Sequence, residues 1–257
     1  MRYFIISKEE ESCKKIEEKI KNDLNFVLDE LNPNLVISVG GDGTTLSAVH
    51  KYIDKLDSIT FIAFNAGHLG FFSSFNKDEY DEFINYVKKG IYKYDSLNML
   101  EYTINTMSND VTKGLALNEI TIVNPRRTLI LDVKIDKEYF EHYRGTGLCV
   151  STPTGSTGYN KSLHGAVINP NLEVFQMTEI ASINSNLYHT LSSPLILDKT
   201  EEIELSSEWN KELWITADSI SLNIKDFRSL TLKLSDKKVK LASRNNSYLE
   251  RIRKNFI

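Results

Sequence analysis

Cysteine is scarce in this chain: only Cys13 and Cys149 occur in 257 residues. They form no CxxC pair and no metal-ligand spacing, which excludes a disulfide framework and a zinc module. Two such thiols are expected to be reduced, in a reducing compartment. An excess of charge is missing too. Thirty-one basic against 35 acidic residues leave a net charge of −4, which argues against a protein that coats nucleic acid. No apolar run approaches the ~18 residues of a membrane span. The opening segment turns acidic by Glu9 and is too short for a signal peptide. Repeats and low-complexity stretches are absent. Hydrophobic residues make up 41%, slightly below the usual ~45–50% but above the disordered range. What remains is a cytoplasmic globular chain with no membrane or nucleic-acid partner, long enough for one large domain or two ordinary ones.

Strand and helix patterns alternate through the first third. Tyr3-Phe4-Ile5-Ile6 is a short apolar run, and Leu35-Val36-Ile37-Ser38-Val39 and Thr60-Phe61-Ile62-Ala63-Phe64 read as strands covered on both faces. Ile16, Ile20, Leu24, Val27, Leu28 and Leu31 recur at helical spacing and predict one helix ended by Asn32-Pro33-Asn34. A second helix is expected through Leu46, Val49 and Tyr52. Asn76 and Glu79 match a capping box ahead of Tyr80, Phe83, Ile84 and Val87, with Gly90 as the stop. Such alternation implies an open, mostly parallel α/β sheet over residues 1–97. From residue 98 to 240, short alternating segments with tight turns, such as Asp136-Lys137, predict an antiparallel β domain. The tail, 241–257, places Leu249, Ile252 and Phe256 on one face of a short amphipathic helix.

Glycine is present but clustered. Nine of the twelve fall in Gly40-Gly41-Asp42-Gly43, Gly67-His68-Leu69-Gly70, Gly145-Thr146-Gly147 and Gly155-Ser156-Thr157-Gly158. Tight turns explain any one cluster; four, three of them with a hydroxyl or carboxylate, point to phosphate or ribose approach. In the first, a strand turns into a helix, so N–H groups from Gly40, Gly41, Gly43 and Thr44 are placed to face an anion. No lysine follows, so this is neither the common phosphate loop nor the dinucleotide fingerprint. Asp42 would repel phosphate; it either orients magnesium or accepts a proton from an attacking hydroxyl. Residues 151–160 pack five Ser/Thr hydroxyls around two glycines, a density suited to sugar and phosphate oxygens. Asn118-Glu119 heads a strand, where either side chain is able to hydrogen-bond a base edge or a ribose. The five histidines show no metal spacing and read as structural or surface residues.

Together these segments resemble the NAD kinase family, in its compact bacterial form. The matching features are Gly-Gly-Asp-Gly-Thr at 40–44, Asn-Ala-Gly-His-Leu-Gly-Phe at 65–71, Asn118-Glu119, Arg144-Gly145 and Ser-Thr-Pro-Thr-Gly-Ser-Thr-Gly-Tyr-Asn at 151–160. Residues 178–184 and Ser193-Pro194-Leu195 resemble it also. The resemblance implies transfer of phosphate from ATP to the 2′-hydroxyl of the adenosine ribose of NAD, with a divalent ion such as magnesium. It implies an active site between two domains, a tail returning to the first, and a homo-oligomer, a tetramer in the family's manner. By the motif match Asp42 is the proton acceptor. Gly43, Leu46 and Phe71 line the dinucleotide site; Asn118 and Glu119 hold adenosine. Thr157, Gly158, Tyr159 and Ser162 contact the nucleotide, Ala181 and Ile183 pack on it, and Arg144 lies near the dinucleotide. Thr146 stands where many members carry Asp, and Ser219 where close relatives carry His. Both departures bear on dinucleotide affinity more than on the reaction. Two alternatives stay open at this level: a lipid or sphingoid-base kinase sharing the first motif, and a dinucleotide-binding sensor without turnover.

Overall fold

The computed structural model describes residues 1–67, 70–244 and 248–257. His68 and Leu69 of the second motif therefore lie outside the described residues. The chain divides into two units, one of residues 1–97 and 237–257, the other of residues 98–236.

The first unit begins β1 (Arg2–Ser7), α1 (Glu11–Asp23), β2 (Val27–Leu28), β3 (Leu35–Val39), α2 (Asp42–Lys51), β4 (Thr60–Asn65), β5 (Phe75–Asn76), α3 (Tyr80–Lys89). Its strands run in the order β2-β1-β3-β4, with β5 on β4, and every pairing is parallel. All five residues of β3 are buried. That is why the segment reads as unbroken apolar sequence rather than alternation. The capping box forms: Asn76 Oδ1 accepts the Asp78 N–H at 2.9 Å, and the Asn76 N–H donates to Glu79 Oε2 at 3.1 Å. Gly90 closes α3 at φ 67°, a left-handed cap that glycine adopts without a Cβ penalty.

One expected helix is shorter than its periodicity. α1 ends at Asp23, and Val27 and Leu28 form an edge strand instead. The Val27 N–H donates to Met1 O at 3.1 Å and the Asp29 N–H to Tyr3 O at 2.9 Å. Sheet pairing thus takes the backbone the helix would need, and Val27, Leu28 and Leu31 stand exposed. Their helical spacing is coincidental.

The second unit contains two antiparallel layers. It comprises most of β6 (Tyr94–Thr106), then β7 (Val111–Ala116), β8 (Glu119–Val123), β9 (Leu129–Ile135), β10 (Glu138–Gly145), β11 (Gly147–Ser151), α4 (Tyr159–Ser162) and β12 (Val174–Ile180). β13 (Leu195–Asp198), β14 (Glu202–Ser206), β15 (Leu213–Ala217), β16 (Ile220–Ile224) and β17 (Phe227–Ala242) follow. One layer holds β10-β9-β14-β17 with β6 and β7; the other runs β13-β12-β11-β8-β15-β16. A single apolar cluster, including Leu100, Ile122, Tyr143, Phe175 and Phe227, fills this unit. Asp136 and Lys137, at φ 50° and 70°, turn the β9–β10 hairpin with the twist such hairpins favour.

β17 re-enters the first unit at its far end, where Lys240 and Leu241 pair in parallel with Thr60 and Phe61 of β4. α5 (Tyr248–Phe256) follows. Its inner side matches the expected one only in part: Ile252 is half-buried and Phe256 meets the Phe71 ring, but Leu249 is 72% exposed, whereas the Arg251 side chain is only 13% exposed and ion-paired to Asp95 at 3.2 Å. Among the described residues, no helix is long and apolar enough to cross a membrane.

Candidate active site

In the first unit, the turn from β3 into α2 sets the geometry. Gly40, at φ 156°, leaves no room for a side chain: a Cβ there would meet Thr44 Oγ1 at 2.3 Å. Its N–H is spent on Phe64 O at 3.0 Å. The expected phosphate contact at Gly40 is thus a packing and pairing residue. Gly41 and Gly43 differ, since nothing lies within 4 Å of a Cβ built on either. They give the turn an open face at the positive end of α2. Leu46 is half-buried one turn further on.

Asp42 opens α2 and reaches across to the segment after β4. Its Oδ2 accepts the Phe71 N–H at 2.9 Å and its Oδ1 the Phe72 N–H at 3.1 Å. Gly70 comes so close that a Cβ on it would sit 2.3 Å from Asp42 Oδ1. The first and second motifs are therefore one device: a carboxylate on two amides, with a glycine where any side chain would displace it. A carboxylate offers about four lone-pair positions, so two stay available for a further donor or a proton. Phe71 itself is half-buried.

In the second unit, Asn118 and Glu119 sit on a corner built by Asp218. That carboxylate accepts the Leu117 N–H at 2.8 Å, the Asn118 N–H at 2.7 Å and the Glu119 N–H at 3.3 Å. Asp218 adopts φ 52°, a position aspartate tolerates better than most residues. Asp218 is not among the residues expected from the sequence; its signal is an aspartate in the tight turn between β15 and β16. Asn118 Oδ1 and Glu119 Oε2 are both buried without a protein partner. Burial, aided by the Asp218 charge, pushes the Glu119 carboxyl up to about 7.

The Ser/Thr-rich segment folds against this corner, and its hydroxyls correct the expectation. Thr152 Oγ1 donates to Leu117 O at 2.7 Å and accepts the Gly155 N–H at 3.0 Å. Ser156 Oγ donates to Pro153 O at 2.6 Å and accepts the Ile168 N–H at 2.9 Å. Thr157 Oγ1 donates to Thr154 O at 3.1 Å. These hydroxyls build the loop instead of waiting for sugar oxygens, because short polar side chains satisfy nearby backbone groups first. Gly155 is required by Asn118 O, 2.1 Å from where its Cβ would stand. Gly158, Tyr159 and Ser162 remain exposed beside it, and a Cβ on Gly158 would lie 3.2 Å from Glu119 Oε2.

Arg144, Thr146, Ala181 and Ile183 form a separate group. The Thr146 N–H donates to Ile180 O at 3.0 Å and the Ile183 N–H to Arg144 O at 2.8 Å. The Arg144 guanidinium lies 3.7 Å from the Tyr188 ring centroid, with its Nε buried and unpartnered. Ala181 takes φ 47°. Paired β8 and β11 run from Glu119–Ser151 to Val123–Gly147. At ~3.3 Å per residue this group lies roughly 13 Å from the Asn118-Glu119 corner. Within one chain's second unit the predicted residues are thus two patches, not one.

Comparison with known proteins bears on both units. A family profile described as the ATP-NAD kinase N-terminal domain matches residues 5–92, and one described as the ATP-NAD kinase C-terminal domain matches residues 117–243. A Latilactobacillus sakei protein named NAD kinase is 39% identical over 262 residues, covering 100% of this chain and 98% of that protein. NAD kinase 1 of Bacillus anthracis is 37% identical, covering 100% and 99%. Among solved structures, yeast NADH kinase complexed with NADH aligns with TM-score 0.80 at 20% identity, covering 98% of this chain and 86% of that one. An Archaeoglobus fulgidus NAD kinase in complex with ATP aligns with TM-score 0.76 at 24% identity, covering 100% and 97%. Both share the two-unit fold described above.

Proposed function

Because the chain belongs to the NAD kinase family, we propose that it phosphorylates the 2′-hydroxyl of the adenosine ribose of NAD with ATP, giving NADP and ADP. The lipid-acceptor alternative loses its footing with the family assignment. The observation that carries the chemistry is the clamp on Asp42, a carboxylate fixed by two amides at a strand-to-helix turn. Phosphoryl transfer asks for positioning, charge stabilisation and one group to take the hydroxyl proton. The 2′ oxygen bonds to the γ-phosphorus as that phosphorus leaves the bridging oxygen of ADP. The hydroxyl proton passes to a free lone pair of Asp42 and then to solvent. Gly41 and Gly43 leave the backbone open to phosphate oxygens. Adenosine supplies amino and hydroxyl donors for the unpartnered Asn118 Oδ1 and Glu119 Oε2.

Among the described residues, no three His, Cys, Asp or Glu side chains converge as a metal cage. A divalent ion such as magnesium would be held by phosphate oxygens of ATP and by water rather than by a protein cage, and would offset phosphate charge. Family resemblance further supports a cytoplasmic homotetramer, which light scattering on the purified chain tests.

The deciding assay follows NADP formation from NAD, ATP and magnesium with an NADP-specific dehydrogenase. Asp42→Asn should keep the fold and much of the NAD binding while lowering turnover by at least about a hundredfold. Turnover near the wild-type rate would remove Asp42 from the role. NAD binding with no NADP from the wild-type chain would return the sensor alternative.

A further inference from the structure

Residues 70–74 lie between β4 and β5 with no helix or strand of their own. Their internal side-chain bonds are long: the Gly70 N–H reaches Ser73 Oγ at 3.3 Å, and Ser73 Oγ donates to Gly70 O at 3.4 Å. Yet this segment supplies both amides that hold Asp42. Phe72, Ser73 and Ser74 are buried, but Phe71 is only half-buried, and α5 of the same unit contacts it. Arg251 Nη1 donates to Phe71 O at 3.4 Å, while its Nη2 is anchored on Asp95 Oδ2 at 3.2 Å. The Phe256 ring lies 5.1 Å from the Phe71 ring at 33°. One residue therefore donates its N–H to Asp42 and receives, through its carbonyl and its ring, two contacts from the tail helix.

We propose that Arg251 and Phe256 are positioning residues for Asp42, acting through the backbone of Phe71 and Phe72. The inference rests on the proposed kinase activity. When the brace is lost the amides wander, and the carboxylate they orient with them. A proton acceptor misplaced by an ångström slows the step it serves far more than it weakens ground-state binding. The arginine fork matters because it spans two acceptors at once, which a lysine ammonium on a flexible stem does poorly.

The test is steady-state NAD kinase kinetics on the full chain. Arg251→Ala and Phe256→Leu should each lower kcat by about ten- to a hundredfold, with KM for NAD and ATP within about twofold of wild type. Arg251→Lys should restore part of that loss, and Arg253→Ala, on the exposed side of the helix, should leave kcat unchanged. In an Asp42→Asn background, Arg251→Ala should cause no further loss, because residues acting through one group are non-additive. A general weakening of the unit would instead lower both backgrounds equally and raise KM; that result overturns the proposal. So does an unchanged kcat in Arg251→Ala or in Phe256→Leu. If Arg251→Ala does not fold, Arg251→Lys and Phe256→Leu decide the matter alone. A wild-type chain that makes no NADP defeats the kinase reading and this inference with it. An active wild type with unaffected variants defeats only the inference.

Discussion

Asp42 and Glu119 are both carboxylates, and the chain treats them oppositely. Asp42 receives two amide donors; Oε2 of Glu119 is buried with none. Burial and the Asp218 charge push Glu119 up to about 7. A raised carboxyl binds its proton more tightly folded than unfolded. The stability it contributes is therefore present below its ordinary value of 4.5 and lost as pH rises through about 7. At ~1.4 kcal/mol per unit, the loss is on the order of 3 kcal/mol. In urea unfolding at pH 5 and pH 8, the wild type should lose about that much and Glu119→Gln should lose little of it. Equal pH dependence in the two would mean that Glu119 titrates as an ordinary surface carboxyl. At this scale Asp42 was legible from its glycine setting. Its partners were not, because Gly70, Phe71 and Phe72 meet it only through tertiary contact. The hydroxyls of Thr152 and Ser156 misled for a related reason: composition shows that a hydroxyl exists, not which carbonyl takes its proton.

Elements with a strong local cause read correctly. β3 is unbroken apolar sequence and is wholly buried. The Asn76–Glu79 box announces α3, and Glu79 also pairs with Arg244 at 2.6 Å, so the cap binds the chain's return as well as the helix. Asn76→Ala should lower stability by about 1 kcal/mol, as loss of such a cap does. A midpoint in urea unchanged from wild type would show that Arg244 alone fixes that end. Elements decided by competition read poorly. The stretch after Asp23 has helical spacing, but β1 has an open edge, and parallel pairing at Val27 wins. In α5 the periodicity was right and the face only partly so: Phe256 meets Phe71, but Leu249 is exposed while Arg251 turns inward to Asp95, a partner distant in sequence.

At the scale of the molecule, the first unit needs both stretches of chain that flank the second. Residues 98–236 hold most of two antiparallel layers and their own core. The first unit, by contrast, takes its last sheet pairing from Lys240 and Leu241. A chain ending at Asp236 should therefore keep slow hydrogen exchange in β8, β9 and β11 while β3 and β4 lose much of theirs, read by mass spectrometry. Loss of protection in both sets together would show that the units unfold as one.

That interrupted first unit has a consequence for synthesis on the ribosome. The carboxylate of Asp42 emerges early, but the helix that braces Phe71 follows only after the whole of the second unit has been translated. At about 5–20 residues per second, the delay is on the order of ten seconds or more. Through that interval the nascent chain carries Asp42 without the Lys240–Leu241 pairing on β4 and without α5. The first unit is accordingly completed late in translation, after the body of the second unit has had time to fold.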